Sequence, residues 1–150
     1  MMNWTCVPFA ELTVQQLHDV LRLRAEVFVV EQHCVFLEID GLDPLTWHLL
    51  GVGDDGQLLA YTRLIPPGVK APDALIGRVV TSPAARGGGS GRALMAESVA
   101  RCEALWPGHA ITLHAQAHLE RFYASFGFAP SGEPYVEDGI PHIEMRKPLP

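Results

Sequence analysis

The segment that most restricts this chain is Arg86-Gly87-Gly88-Gly89-Ser90-Gly91, four glycines in six residues. Such a run resists helix and strand alike, because glycine gives up the most backbone freedom on ordering. Its flanks do order. Leu75 to Thr81 (LIGRVVT) reads as a β-strand, and Arg92 to Leu105 carries Met95, Val99, Cys102 and Leu105 on one helical face. The chain must pass from strand to helix through a loop whose amides no Cβ shields. Free N–H groups at a helix start, with the positive end of the dipole behind them, favour an anion, and Arg86 and Arg92 add charge. The loop reads as a phosphate cradle. A Walker loop would need lysine followed by Ser or Thr, and no lysine is present; a dinucleotide loop would need Gly or Ala where Leu94 stands.

Around this loop the apolar spacing lays out the remaining elements. Thr13-Val14-Gln15-Gln16 has the form of a capping box, so a helix should start there, with Leu17, Val20, Leu21, Arg24 and Phe28 on its inner stripe. Arg24 is the one charge on that stripe. Its stem is expected along the core edge with its head in water, the alternative being a fixed cation facing a site. Val29 to Asp43 shows no clean period and reads as a loop or short broken helix. Trp47 to Val52 and Gln57 to Ile65 read as strands joined through Asp54-Asp55-Gly56. Ile111 to Ala115 is a short strand and His118 to Phe126 a short helix stopped at Gly127. A last strand pair spans Phe128 to Val136 and Ile140 to Lys147. The order predicts a mixed α/β chain, not a strictly alternating doubly wound sheet.

Hydrophobic residues make up 48% of the 150 and charged residues 19%, enough apolar surface for one core and a length that suits one domain. The 11 basic against 17 acidic residues give a net charge of −6, which argues against a nucleic-acid groove without excluding a local anion site. Cys6, Cys34 and Cys102 are too few and scattered for a disulfide framework, and the start MMNWTCVPFA lacks the features of a signal peptide. With no apolar run long enough for a bilayer, a cytoplasmic protein with no membrane partner is expected. His33 and Cys34 are adjacent and no pair has ordinary zinc spacing, so no metal is expected.

The residues now quoted resemble the GNAT superfamily of acetyl-CoA-dependent acyltransferases. Its R-x-x-G-x-G signature is matched by Arg86, Gly89 and Gly91, after Val79-Val80-Thr81-Ser82-Pro83; Phe122-Tyr123-Ala124-Ser125-Phe126-Gly127-Phe128 is similar to its second signature. Val27–Gln32, Glu38–Asp43, Ala115–Leu119 and Glu137–His142 further resemble the ElaA-like branch, so the likeness runs from about Phe9 to Lys147. It implies one N-acetyltransferase domain over residues 1–150, a central, mostly antiparallel mixed sheet flanked by helices, and acetyl-CoA as acyl donor without a metal. The pyrophosphate of coenzyme A would lie on the amides of Gly87, Gly88, Gly89, Ser90, Gly91 and Arg92, beside Arg86. The pantetheine arm would pair with Val79 and Thr81, and the Val80 amide would polarise the thioester, a kind of contact worth about 3 kcal/mol. Tyr123 matches the general-acid tyrosine that protonates the leaving thiolate. Where many members carry Asn, this chain has Gln116, which is left outside the expected site.

On the acceptor side an amine needs a base. Glu31, His33, Glu38, Asp40, His48, His114 and His142 are candidates; Glu31 is favoured because the segment after the first helix walls the acceptor pocket in the superfamily, with His142 second. Acidic residues there would suit a cationic acceptor, a small amine, polyamine or peptide amino group. Many relatives pair, so a homodimer is the expected assembly. Two other readings stay open: an acyltransferase with a longer donor, since Leu23 to Phe28 faintly resembles acyl-homoserine-lactone synthases, and a non-catalytic coenzyme A-binding module.

Overall fold

The structure is a computed structural model that describes residues 1–149. The elements follow as β1 (Asn3–Pro8), α1 (Val14–Arg24), β2 (Trp47–Val52), β3 (Leu58–Ile65), β4 (Ala74–Thr81), α2 (Ser90–Leu105), β5 (Ile111–Gln116), α3 (Glu120–Ala124), β6 (Ala129–Pro130), β7 (Tyr135–Glu137) and β8 (Ile140–Lys147). One sheet contains every strand, in the order β1-β2-β3-β4-β5-β8-β6, with β7 also on β8. All its pairings are antiparallel except β4 with β5. The expected mixed, mostly antiparallel sheet flanked by helices is therefore what forms.

α1 starts on the capping box read from the sequence: Thr13 Oγ1 accepts from the Gln16 amide at 3.0 Å, and Gln16 Oε1 accepts from the Thr13 amide at 2.9 Å. At Ala25 the helix widens into a π-helical stretch to Glu31, a change of winding that commonly marks functional segments. Val20, Leu23 and Val27 from this rod pack on Leu50, Tyr61 and Val80 on one face of the sheet. α2 and α3 cover the other face, where Met95, Val99 and Cys102 meet Leu64, Ile76, Leu113 and Met145.

Three expectations change. His118–Phe126 is not one helix: a 3-10 turn at Ala117–Leu119 precedes the five residues of α3. Phe128–Val136 breaks into β6 and β7, because Pro130 and Pro134 cannot donate to a ladder. Arg24 has no head in water; it is fully buried, and its partners belong to the site described next.

β4 carries the irregularity that matters most. Tyr61 pairs with Val80 and Arg63 with Gly77, so β4 holds one residue more than β3 across this interval. The bulge includes Arg78 in the left-handed region, φ 51°. A one-residue insertion flips every later side chain to the opposite face. Ile76 accordingly packs on the α2 side, whereas Val80 packs under α1.

Candidate active site

The parallel ladder of β4 and β5 holds only from Ala74 with Ile111 to Ile76 with Leu113, and the strands then part. Between them opens a cavity of about 680 Å³, within the ordinary range for small-molecule sites. Gly77 to Thr81 line one wall, His114 and Gln116 of β5 the other, and Tyr123 reaches in from α3. Tyr123 is 6% exposed, and burial alone pushes its phenol up to about 12, so the hydroxyl keeps its proton at neutral pH.

The glycine loop follows at the end of β4. Ser82 caps a short 3-10 turn at Pro83–Ala85, and α2 begins after Gly89. Gly89 has φ 79° and contributes no side chain to the helix start, so the amides of Ser90, Gly91 and Arg92 have no side-chain cap. Gly87, at φ 87°, also needs the left-handed region, whereas Gly88 does not. Nothing stands within 4 Å of a Cβ built on any of the three, so these glycines keep the approach to the backbone open. Arg86 lines the cavity and is bridged by Glu31 at 2.9 Å. Arg92 leans over Phe126, 5.1 Å from the ring centroid, and donates to Ser125 Oγ at 3.2 Å.

The β7–β8 hairpin forms a further wall of the cavity. In the register of β5 and β8, Gln116 faces His142 and His114 faces Glu144, so these side chains share one side of the sheet. Tyr135 of β7 joins its hydroxyl to His114 Nδ1 at 2.9 Å and stacks on His142 with ring centroids 5.7 Å apart. His142 Nδ1 lies 2.7 Å from the Ile140 carbonyl, which can only accept; Nδ1 therefore carries a hydrogen, and in the neutral ring the lone pair is on Nε2. His114 is held below the usual histidine range, chiefly by burial.

Of the sequence candidates, His114 and His142 reach the cavity, and Tyr123, Val79, Val80, Thr81 and Arg86 meet there with them. Glu31 stands at the rim on Arg86 and is not among the lining residues. His48 lies in the core, accepting from Tyr61 Oη at Nδ1 and donating from Nε2 to the Asp43 carbonyl at 3.1 Å. Glu38 and Asp40 line the cavity but are consumed by arginines. Glu38 holds Arg24, and Arg78 at 2.7 Å; Asp40 takes both Nη atoms of Arg63 at 2.8 Å. Asp43 completes the cluster on Arg24 at 2.8 Å and Arg63 at 3.1 Å. Glu38, Asp40 and Asp43 are thus neutralised by three arginines, whereas Glu137 and Asp138 of the hairpin also line the cavity; no motif in the sequence marks Tyr135. The single charge in the strand Leu58–Ile65 was the available signal for Arg63.

A sequence model of the family described as "Acetyltransferase (GNAT) domain" matches residues 46–149. An acyl-CoA N-acyltransferase from Pseudomonas aeruginosa has a crystal structure that superposes with TM-score 0.94 at 48% identity, over 98% of this chain and 99% of that one. Protein ElaA of Escherichia coli is 45% identical over 150 residues, 98% of this chain and 97% of ElaA. The E. coli ElaA crystal structure superposes with TM-score 0.92 at 44% identity, over 98% of this chain and 99% of that one. On a family match over more than half its length and relatives that align with nearly all of it, the chain belongs to the GNAT acetyltransferase family, beside the ElaA proteins.

Proposed function

We propose that this chain transfers an acetyl group from acetyl-CoA to a primary amine, on a small amine, polyamine or peptide, by direct attack with both substrates bound. The observation that best supports this is the open seam between β4 and β5, where Gly77 to Thr81 line the cavity beyond the last pair of the ladder. A free strand edge takes an extended partner through main-chain hydrogen bonds, and the amide-bearing pantetheine arm is such a partner. Val79 and Thr81 would hold that arm, and an amide of the segment just past the bulge that faces the seam would donate to the thioester carbonyl. The uncapped amides of Ser90 to Arg92, with Gly87, Gly88 and Gly89 open above them, would hold the pyrophosphate between Arg86 and Arg92. Acetyl-CoA supplies the acyl group already activated as a thioester. Tyr123 supplies the proton the departing thiolate needs. His142 takes the role of base through its free Nε2, in place of Glu31, which Arg86 holds at the rim. The three cysteines are all free, which suits a reducing cytoplasm.

A thermal-shift titration with acetyl-CoA, coenzyme A and a long-chain acyl-CoA tests the donor. A ligand at 100 times its dissociation constant should stabilise the fold by about 2.7 kcal/mol. Stabilisation by the first two is expected. Preference for the long chain would favour the longer-donor reading, and no shift with any of them would overturn the proposed site.

A further inference from the structure

Glu38, Asp40 and Asp43, carboxylates of one connecting segment, grip arginines from three different elements: Arg24 at the end of α1, Arg63 on β3 and Arg78 on β4. The grip on Arg78 differs from the other two. Arg78 stands in the β4 bulge at φ 51°, where a side chain crowds the following carbonyl and residues other than glycine are disfavoured. Around its guanidinium, Glu38 Oε1 lies 2.7 Å from Nε, the Glu38 carbonyl accepts from Nη2 at 3.3 Å, and Asp40 Oδ2 is 3.4 Å away. The Phe36 ring lies beneath, 5.9 Å from the guanidinium carbon. The other carboxylate oxygen of Glu38 is held by the fully buried Arg24. Glu38 is therefore a fixed post between the end of α1 and the bulge.

The bulge decides which face each later residue of β4 presents. Val79 packs toward α2 and Val80 toward α1, the reverse of what an unbroken strand continuing from Ile76 would give. A relaxed Arg78 would leave Val79, Val80 and Thr81 misaligned with the cavity.

We propose that Glu38 is a positioning residue: it clamps Arg78 in its left-handed conformation and so sets the β4 edge that receives the acyl donor. This rests on the donor site proposed above. Glu38→Gln keeps an oxygen for Arg24 but turns an amide donor toward the Arg78 Nε, opening the clamp at one end. Adding Arg78→Gly removes the clashing donor and places at the bulge the residue that adopts positive φ without cost.

The experiment compares wild type, Glu38→Gln and Glu38→Gln/Arg78→Gly by amide hydrogen exchange, thermal midpoint and acetyl-CoA kinetics. The single variant should exchange faster at 77–81 than wild type. It should also lose about tenfold in kcat/KM for acetyl-CoA, the scale of one unfavourable left-handed residue, with the acceptor KM unchanged. The double variant should return both exchange and kcat/KM to near wild type while its thermal midpoint stays lowered, a recovery that a general loss of stability would not show. Unchanged exchange and kinetics in Glu38→Gln, or no recovery in the double variant, would overturn the clamp. Failure of the wild type itself to bind acetyl-CoA would overturn the donor site, and the exchange data would still decide whether Glu38 holds the bulge.

Discussion

Tyr123 lines the cavity while its ring packs edge-on against Phe122, centroids 5.2 Å apart. Burial raises its pKa to about 12, so at neutral pH the group offers a proton rather than a charge. Tyr123→Phe preserves the packing and removes only the oxygen. The expected outcome is a fall in kcat of about 100-fold with KM for acetyl-CoA unchanged; steady-state kinetics with both substrates checks it, and an unchanged kcat would make this tyrosine structural. Tyr123 was legible in the sequence because it sits in a short contiguous motif. Arg24 was not: its partners Glu38 and Asp43 stand 14 and 19 positions further on, and periodicity along one helix carries no record of a charge arriving from elsewhere. The same distance hides the role of Glu38 toward Arg78, 40 positions away.

At the level of elements, the turn into α2 separates two reasons for a glycine. Gly87 and Gly89 are needed for their positive φ, so any side chain there strains the backbone. Gly88 has no such requirement, and open space surrounds it. Gly88→Val should therefore leave the thermal midpoint near wild type and weaken coenzyme A binding at least tenfold by standing where the pyrophosphate is proposed to lie. Calorimetric titration with coenzyme A measures this, and undiminished affinity would place the phosphates elsewhere. The spans of β2 and β8 match those read from apolar spacing, and β3, β4, α2 and β5 begin or end within two residues of expectation. These elements were legible because each buries a face in one of the apolar clusters on the sheet. β1 was not, since Asn3–Pro8 lies at the sheet edge, holds no fully buried residue and ends in proline. The hairpin wall of the cavity was only half legible: His142 stood out as a titratable group, whereas Tyr135 joins the cavity through the hairpin that folds it back on β8.

For the molecule as a whole, the buried titratable groups set the pH range over which it is stable. Asp40 and Asp43 resist protonation: burial opposes their charge, but Arg63 for the first and Arg24 for the second outweigh it and hold both below the ordinary carboxylate range. His48 is lowered chiefly by burial, so the unfolded chain takes up its proton near pH 6.5 before the native state does. Both effects make the unfolded state bind more protons as pH falls, and stability drops on the acid side, first below about 6.5 and again below about 4. On the alkaline side the native state holds protons longer. Burial raises Cys102, Tyr61 and Tyr123, so the unfolded chain ionises first and stability falls above about pH 8.5 and further above 10. Thermal midpoints should form a plateau between about pH 6.5 and 8.5; a midpoint still rising at pH 10 would contradict the burial of these groups. The sheet is split along one interior line. β4 and β5 share three residue pairs, and beyond them the Cys34 thiol, 3.8 Å from the Asp138 carbonyl, ties the segment after α1 to the β7–β8 turn. Mechanically this is a wedge with its apex at Ile76, and an extended ligand that filled it as proposed would become part of the sheet. Substrate occupancy would then stiffen the protein along a seam that the fold leaves unsewn, joining the halves it lies between.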